Sequence, residues 1–107
     1  MKRIPVVALG LILPLSIWST ENKKAAEGEA VYKKNCNMCH FPDKTDTKLG
    51  PGLKGLFKNK QLPKSHRPVT EAAVREQIEK GSKAMPGFGK RLSAQEMDSL
   101  IEFLKTL

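Results

Sequence analysis

The chain has 107 residues, which excludes more than one domain. Its 19 Lys plus Arg outweigh 11 Asp plus Glu for a formal net charge of +8, and it has one Trp, one Tyr and four Phe. Such a small aromatic content makes a thin core for a domain of this size, which usually needs a staple or a bound group at its centre.

The first segment reads as a targeting signal. Lys2 and Arg3 form a positive n-region, and Ile4 to Trp18 form an apolar run of 15 residues broken by Pro5 and Pro14. That is short of the roughly 20 residues a helix needs to cross a bilayer. A secretory signal peptide over residues 1–19 is the primary reading. Its cleavage site is weak, with Ile17 and Ser19 where small residues are wanted, so a retained N-terminal anchor is the alternative. No Cys follows the apolar run, which argues against a lipid anchor. Export, to a periplasm or an equivalent space, is expected in both cases, with membrane association through residues 4–18 only if they are kept. Loss of residues 1–19 leaves 88 residues with 17 basic and 11 acidic side chains, a net charge of +6. A short linker is expected over 20–26 and a folded domain over 27–107.

The domain reads as all-α, with no alternating stretch long enough to propose a sheet. A first helix is expected from about Ala25 into the Cys36–His40 segment, with Gly28, Tyr32 and Cys36 four apart on one face. Lys44 to Pro68, rich in Lys, Gly and Pro, reads as loop with one helical turn around Leu53–Phe57. Thr70 is a good N-cap for a second helix that buries Ala73, Val74 and Ile78 and stops at Gly81. Ser93 and Glu96 make a capping box for a third, whose stripe is Met97, Leu100, Ile101, Leu104 and Leu107.

The chemistry lies in Cys36-Asn37-Met38-Cys39-His40. Thiols three residues apart share a helical face and can each form a thioether to one vinyl group of the same haem. His40 can then place its imidazole under the iron, so the run is a c-type haem attachment signal. Three blander uses compete. A thioredoxin-like redox pair needs a βαβ context, which is absent. A zinc site could draw only on Cys36, Cys39, His40 and His66, without the usual second pair. A structural disulfide across two residues is strained. One covalent haem c, through Cys36 and Cys39, accounts for the motif better than any of these.

A second axial ligand must come from elsewhere. Met85 lies in the Gly- and Pro-containing stretch Gly81–Phe88, where a loop can carry a side chain over the other haem face. Met97 belongs to the apolar stripe of the third helix, Met38 lies within the attachment motif on the wrong side of the haem, and Met1 is in the signal segment. Met85 is therefore the expected partner of His40 on the iron, with His66 or a lysine amine as fallback. A ligating imidazole usually donates its other N–H to an oxygen. The Pro51 carbonyl in Gly50-Pro51-Gly52 is a candidate acceptor, although the tripeptide also reads as an ordinary turn.

From about Gly28 to the C-terminus the chain resembles a class I cytochrome c of the bacterial monohaem kind. Gly28-x-x-x-Tyr32-x-x-x-Cys36-x-x-Cys39-His40 resembles that family's N-terminal helix, and Leu49-Gly50-Pro51-Gly52-Leu53 its proline loop. Ala84-Met85-Pro86-Gly87-Phe88 is similar to its methionine loop, and Leu100-Ile101-Glu102-Phe103-Leu104 to its last helix. The resemblance implies three main helices and loops wrapped around one haem, with Gly28 and Tyr32 meeting Leu100 and Phe103. It departs from the family in having no Trp beyond Trp18 to contact a propionate. The 58–68 loop shows no pattern that names propionate or methionine hydrogen-bond donors.

With both axial positions filled, the expected activity is one-electron transfer and not catalysis. The alternatives are a haem subunit of a respiratory complex, and a haem enzyme or sensor with an open iron position. Lys33, Lys34, Lys44, Lys48, Lys54, Lys83 and Lys90 lie near the haem-bearing segments. They are either scattered solubilising charges or a rim that steers acidic redox partners. The chain is expected to be a monomer, and nucleic acid is a poor use of this charge in an exported haem protein.

Overall fold

The computed structural model describes residues 2–5, 10 and 16–107. Helix α1 spans Ser16–Asn35, a 3₁₀ turn covers Leu56–Lys58, and α2 and α3 span Glu71–Lys80 and Ala94–Leu104. The described residues form no strand, only an isolated antiparallel bridge between Gln61 and Pro68. The fold class is all-α, as expected.

The first helix departs from expectation. It begins at Ser16, nine residues before Ala25, so residues 20–26 are helical and not a linker. The reason is local. No Gly or Pro falls between Ser16 and Ala26, and nothing in that polar stretch breaks a helix once it has started. The signal or anchor expected over 1–19 lies mostly outside the described residues. Among those described, no helix is long and apolar enough to cross a membrane.

The caps form as the sequence predicts. Thr70 Oγ accepts from the Ala73 N–H at 3.0 Å, and Ser93 and Glu96 make both halves of the capping box at 3.0 Å. Gly81 takes φ 68° past the end of α2, and its N–H donates to the Gln77 carbonyl.

Pairing of α1 with α3 dominates the tertiary structure. A Cβ on Gly28 would overlap the Ser99 carbonyl oxygen and lie 2.8 Å from Phe103 Cβ, so the two backbones meet at that glycine. One turn further on, the rings of Tyr32 and Phe103 pack with centroids 5.3 Å apart, tilted by 50°. Leu100 is fully buried, and Met97, Ile101 and Leu104 join it with Val31 and Tyr32 from α1 and Ala73, Val74 and Ile78 from α2. Leu107, beyond the end of α3, is half-buried at the core's edge. Arg75 ties α2 to α3 through Asp98 at 2.7 Å, and Lys105 through Glu71.

Candidate haem-binding site

The turn after α1 carries the two cysteines and His40. The Cys39 and His40 N–H groups both donate to the Cys36 carbonyl at 3.1 Å, which holds the three residues as a tight turn. Both thiols are free and half-buried. Burial pushes the Cys36 thiol up to about 11, and the neighbouring Cys39 adds to the shift. A thiol raised in this way is poorly suited to a low-pKa redox pair. Among the described residues no three His, Cys, Asp or Glu side chains are grouped to hold a metal ion, which removes the zinc reading that enlisted His66.

The Gly50–Leu53 segment runs beneath this turn. The Gly50 N–H donates to the Cys39 carbonyl at 2.7 Å, and the Leu53 N–H to the Phe41 carbonyl at 2.8 Å. Between those two bonds, His40 Nδ1 lies 2.7 Å from the Pro51 carbonyl oxygen. A carbonyl can only accept, so the proton sits on Nδ1 and the Nε2 lone pair is left for a metal. Gly50 is required by contact, since a Cβ there would come within 2.5 Å of His40 Cε1. The tripeptide is thus more than a turn: it is the seat of the imidazole.

The other wall comes from α2 and the loop after it. The Ser82 N–H donates to the Met85 carbonyl at 2.8 Å, and the Phe88 and Gly89 N–H groups donate back to the Ile78 and Glu79 carbonyls. This closes residues 81–89 onto the end of α2. Met85 is half-buried, and Gln77 Nε2 lies 3.8 Å from its sulfur. Met97 is buried in the core as expected, whereas Met38 is 78% exposed.

Cys36, Cys39, His40 and Met85 all line one cavity of about 390 Å³. Its walls are chiefly apolar, including Leu53, Leu56, Leu62, Val74, Ile78 and Phe88. Such a hollow in so small a domain fits a flat, mostly apolar group, with two thiols that could attach a haem c and a free Nε2 and a thioether that could ligate its iron. His66 is exposed and does not reach the cavity, while Lys64 does. None of the seven lysines expected near the haem segments lines it.

A family model described as cytochrome c oxidase, cbb3-type, subunit III, matches residues 23–104. The chain belongs to the class I c-type cytochromes. Haem c with its iron, joined through Cys36 and Cys39, is the cofactor of this cytochrome, and the single attachment motif makes it monohaem. A cytochrome c6 of Gloeothece citriformis is 29% identical over 105 residues, covering 96% of this chain and 91% of that one. One of Microcystis aeruginosa is 32% identical over 78 residues, covering 73% and 90% respectively. A third, from Alaria esculenta, is 30% identical over 86 residues, covering 74% and 86%.

Three features of this cytochrome's site escaped the sequence. Gln77 lies four residues after Ala73 and three after Val74, so a polar residue on the buried stripe of α2 was the available signal. The stretch Leu62–Ser65 lines the cavity because the Leu62 N–H donates to the Arg67 carbonyl and the Val69 N–H to the Lys60 carbonyl, folding the loop inward. The third is the Tyr32 hydroxyl, which donates to the His40 carbonyl at 2.9 Å.

Proposed function

We propose that this cytochrome is a one-electron carrier between redox partners outside the cytoplasm, with His40 and Met85 as axial ligands. The observation that carries the reading is an apolar cavity lined by both side chains, with His40 Nδ1 already bound to Pro51. When bound, haem c supplies a reversible Fe(III)/Fe(II) couple. His40 offers Nε2 in a fixed tautomer, and Met85 offers a soft sulfur on a closed loop. The apolar walls exclude water, and two protein ligands leave the metal no open position for a substrate. This favours transfer over catalysis. Export is supported by Lys2, Arg3 and the apolar run behind them.

Docking to an acidic partner is supported by the charge pattern. Of the ion-paired cations, Lys33 pairs with Glu29 within α1, and Arg67, Arg75, Lys80 and Lys105 belong to α2, α3 and their flanks. Among the described residues Lys44, Lys48, Lys54, Lys83 and Lys90 have no carboxylate partner, and Lys44 and Lys48 lie over the Phe41 ring, next to His40. Unpaired lysines beside the attachment turn would steer an acidic surface towards it.

The optical spectrum of the oxidised protein tests the ligation. A weak far-red sulfur-to-iron band is expected, and it should vanish in Met85→Ala. Its absence from the wild type would overturn the assignment. The reduced wild type should resist carbon monoxide, which separates a carrier from a sensor or enzyme. A second reading, a haem subunit of a respiratory complex, is favoured by the cbb3-type subunit III model over residues 23–104. Isolation from the native source as a free monomer would exclude it.

A further inference from the structure

We propose that Tyr32 is a positioning residue for the proximal histidine, acting through its main chain. The inference rests on the reading of His40 as an axial ligand. Tyr32 is 1% exposed, and its hydroxyl donates at 2.9 Å to the His40 carbonyl, eight residues along the chain. The same ring packs on Phe103 at the crossing of α1 and α3. A phenol keeps its proton at neutral pH, so the buried hydroxyl serves as a donor.

His40 is thereby held at three atoms, two of them by the end of α1 and the turn after it and one by the Gly50–Leu53 segment. Its N–H donates to the Cys36 carbonyl, its Nδ1–H to the Pro51 carbonyl, and its own carbonyl accepts from Tyr32. The first two bonds set the turn and the ring. The third fixes the peptide from which the ring hangs, and ties it to the most buried part of the fold. A main chain free to rotate at His40 would lengthen the Nδ1–H···O bond to Pro51 and make Nε2 a poorer donor. A poorer donor stabilises the oxidised iron less, so the reduction potential rises. Tyr32 therefore acts on the haem ligand through its hydroxyl bond to the His40 peptide, separately from its ring contact at the helix crossing.

Tyr32→Phe in the full-length haem protein tests this, because it removes one oxygen and keeps the ring on Phe103. Expected are a positive shift in reduction potential, altered hyperfine shifts of the His40 ring protons, and a changed carbonyl-carbon shift at His40. Phe103→Leu is the control: it weakens the same crossing but keeps the hydroxyl bond, and should lower stability without moving the potential. Tyr32 is the sole tyrosine, so growth on 3-fluorotyrosine alters this hydroxyl alone. Its more acidic phenol is a stronger donor and should move the potential the opposite way. An unchanged potential in Tyr32→Phe, or an equal shift in Phe103→Leu, would overturn the proposal and leave Tyr32 a packing residue. Failure of the underlying ligand assignment would look different, since the wild type itself would then lack hyperfine-shifted histidine ring protons.

Discussion

Gly28 on α1 faces the main-chain carbonyl of Ser99 on α3, with no room for a methyl group between them. The two helices approach as closely as their backbones allow, and this brings Tyr32 against Phe103 one turn later. The crossing holds the attachment turn, because α1 ends at Asn35, immediately before Cys36.

Gly28→Ala is expected to destabilise the protein. Alanine gains about 1 kcal/mol of helix propensity over glycine. Overpacking costs about 1–3 kcal/mol even where side chains can give, and here the obstacle is backbone. The net loss should be roughly 2 kcal/mol, read from guanidinium denaturation of the haem-loaded protein. A midpoint equal to or above the wild type would contradict the close approach.

Gln77→Val should lower the reduction potential. The amide N–H directed at Met85 Sδ withdraws electron density from the sulfur. With Met85 as the proposed ligand, valine removes that donor, makes the sulfur better able to support oxidised iron, and leaves Met85 itself in place. Redox titration reads the shift, and the far-red band should persist. A potential that stays put would mean the 3.8 Å contact carries no electronic weight.

Ser93→Ala removes one half of the capping box on α3 and should cost about 1 kcal/mol. A pH dependence accompanies it. The Glu96 carboxyl is held below the usual carboxylate range, first by the Ser93 N–H and then by the Ser93 hydroxyl. A depressed folded value contributes stability above the unfolded value of about 4.3 that is lost as pH falls through the folded one. Acid denaturation of the wild type should therefore steepen below the ordinary carboxylate range, and Glu96→Gln should flatten that segment, whereas Ser93→Ala keeps the main-chain N–H and flattens it only in part. Parallel acid curves would show that the bond does not titrate with folding.

Association with an acidic redox partner should slow as ionic strength rises, and Lys44→Glu with Lys48→Glu should slow it further at low salt. Stopped-flow kinetics over a salt series makes the measurement. Rates indifferent to salt would reduce these lysines to solubilising charges.

Much of the site was legible because its signals are local. Two thiols and an imidazole within five residues are read from one turn of chain, and the caps at Thr70 and Ser93 act within three residues. Met85 was singled out by elimination, since each other methionine had a place, and its side chain lines the cavity. The start of α1 was misread, because a polar helix without an apolar stripe looks like a linker until its lack of breakers is weighed.

By itself the sequence determined the covalent haem, the helical class, the caps and the candidates for the iron's ligands. All of these depend on interactions between near neighbours in the chain. Only the tertiary structure decided what stands behind those residues. Tyr32 reaches the His40 carbonyl because the chain turns back after α1, Gln77 the sulfur of Met85 because the 81–89 loop closes onto α2, and Gly28 the carbonyl of Ser99 because α1 and α3 cross. Contacts between side chains many residues apart are set by packing, in which no single residue pattern records its partner.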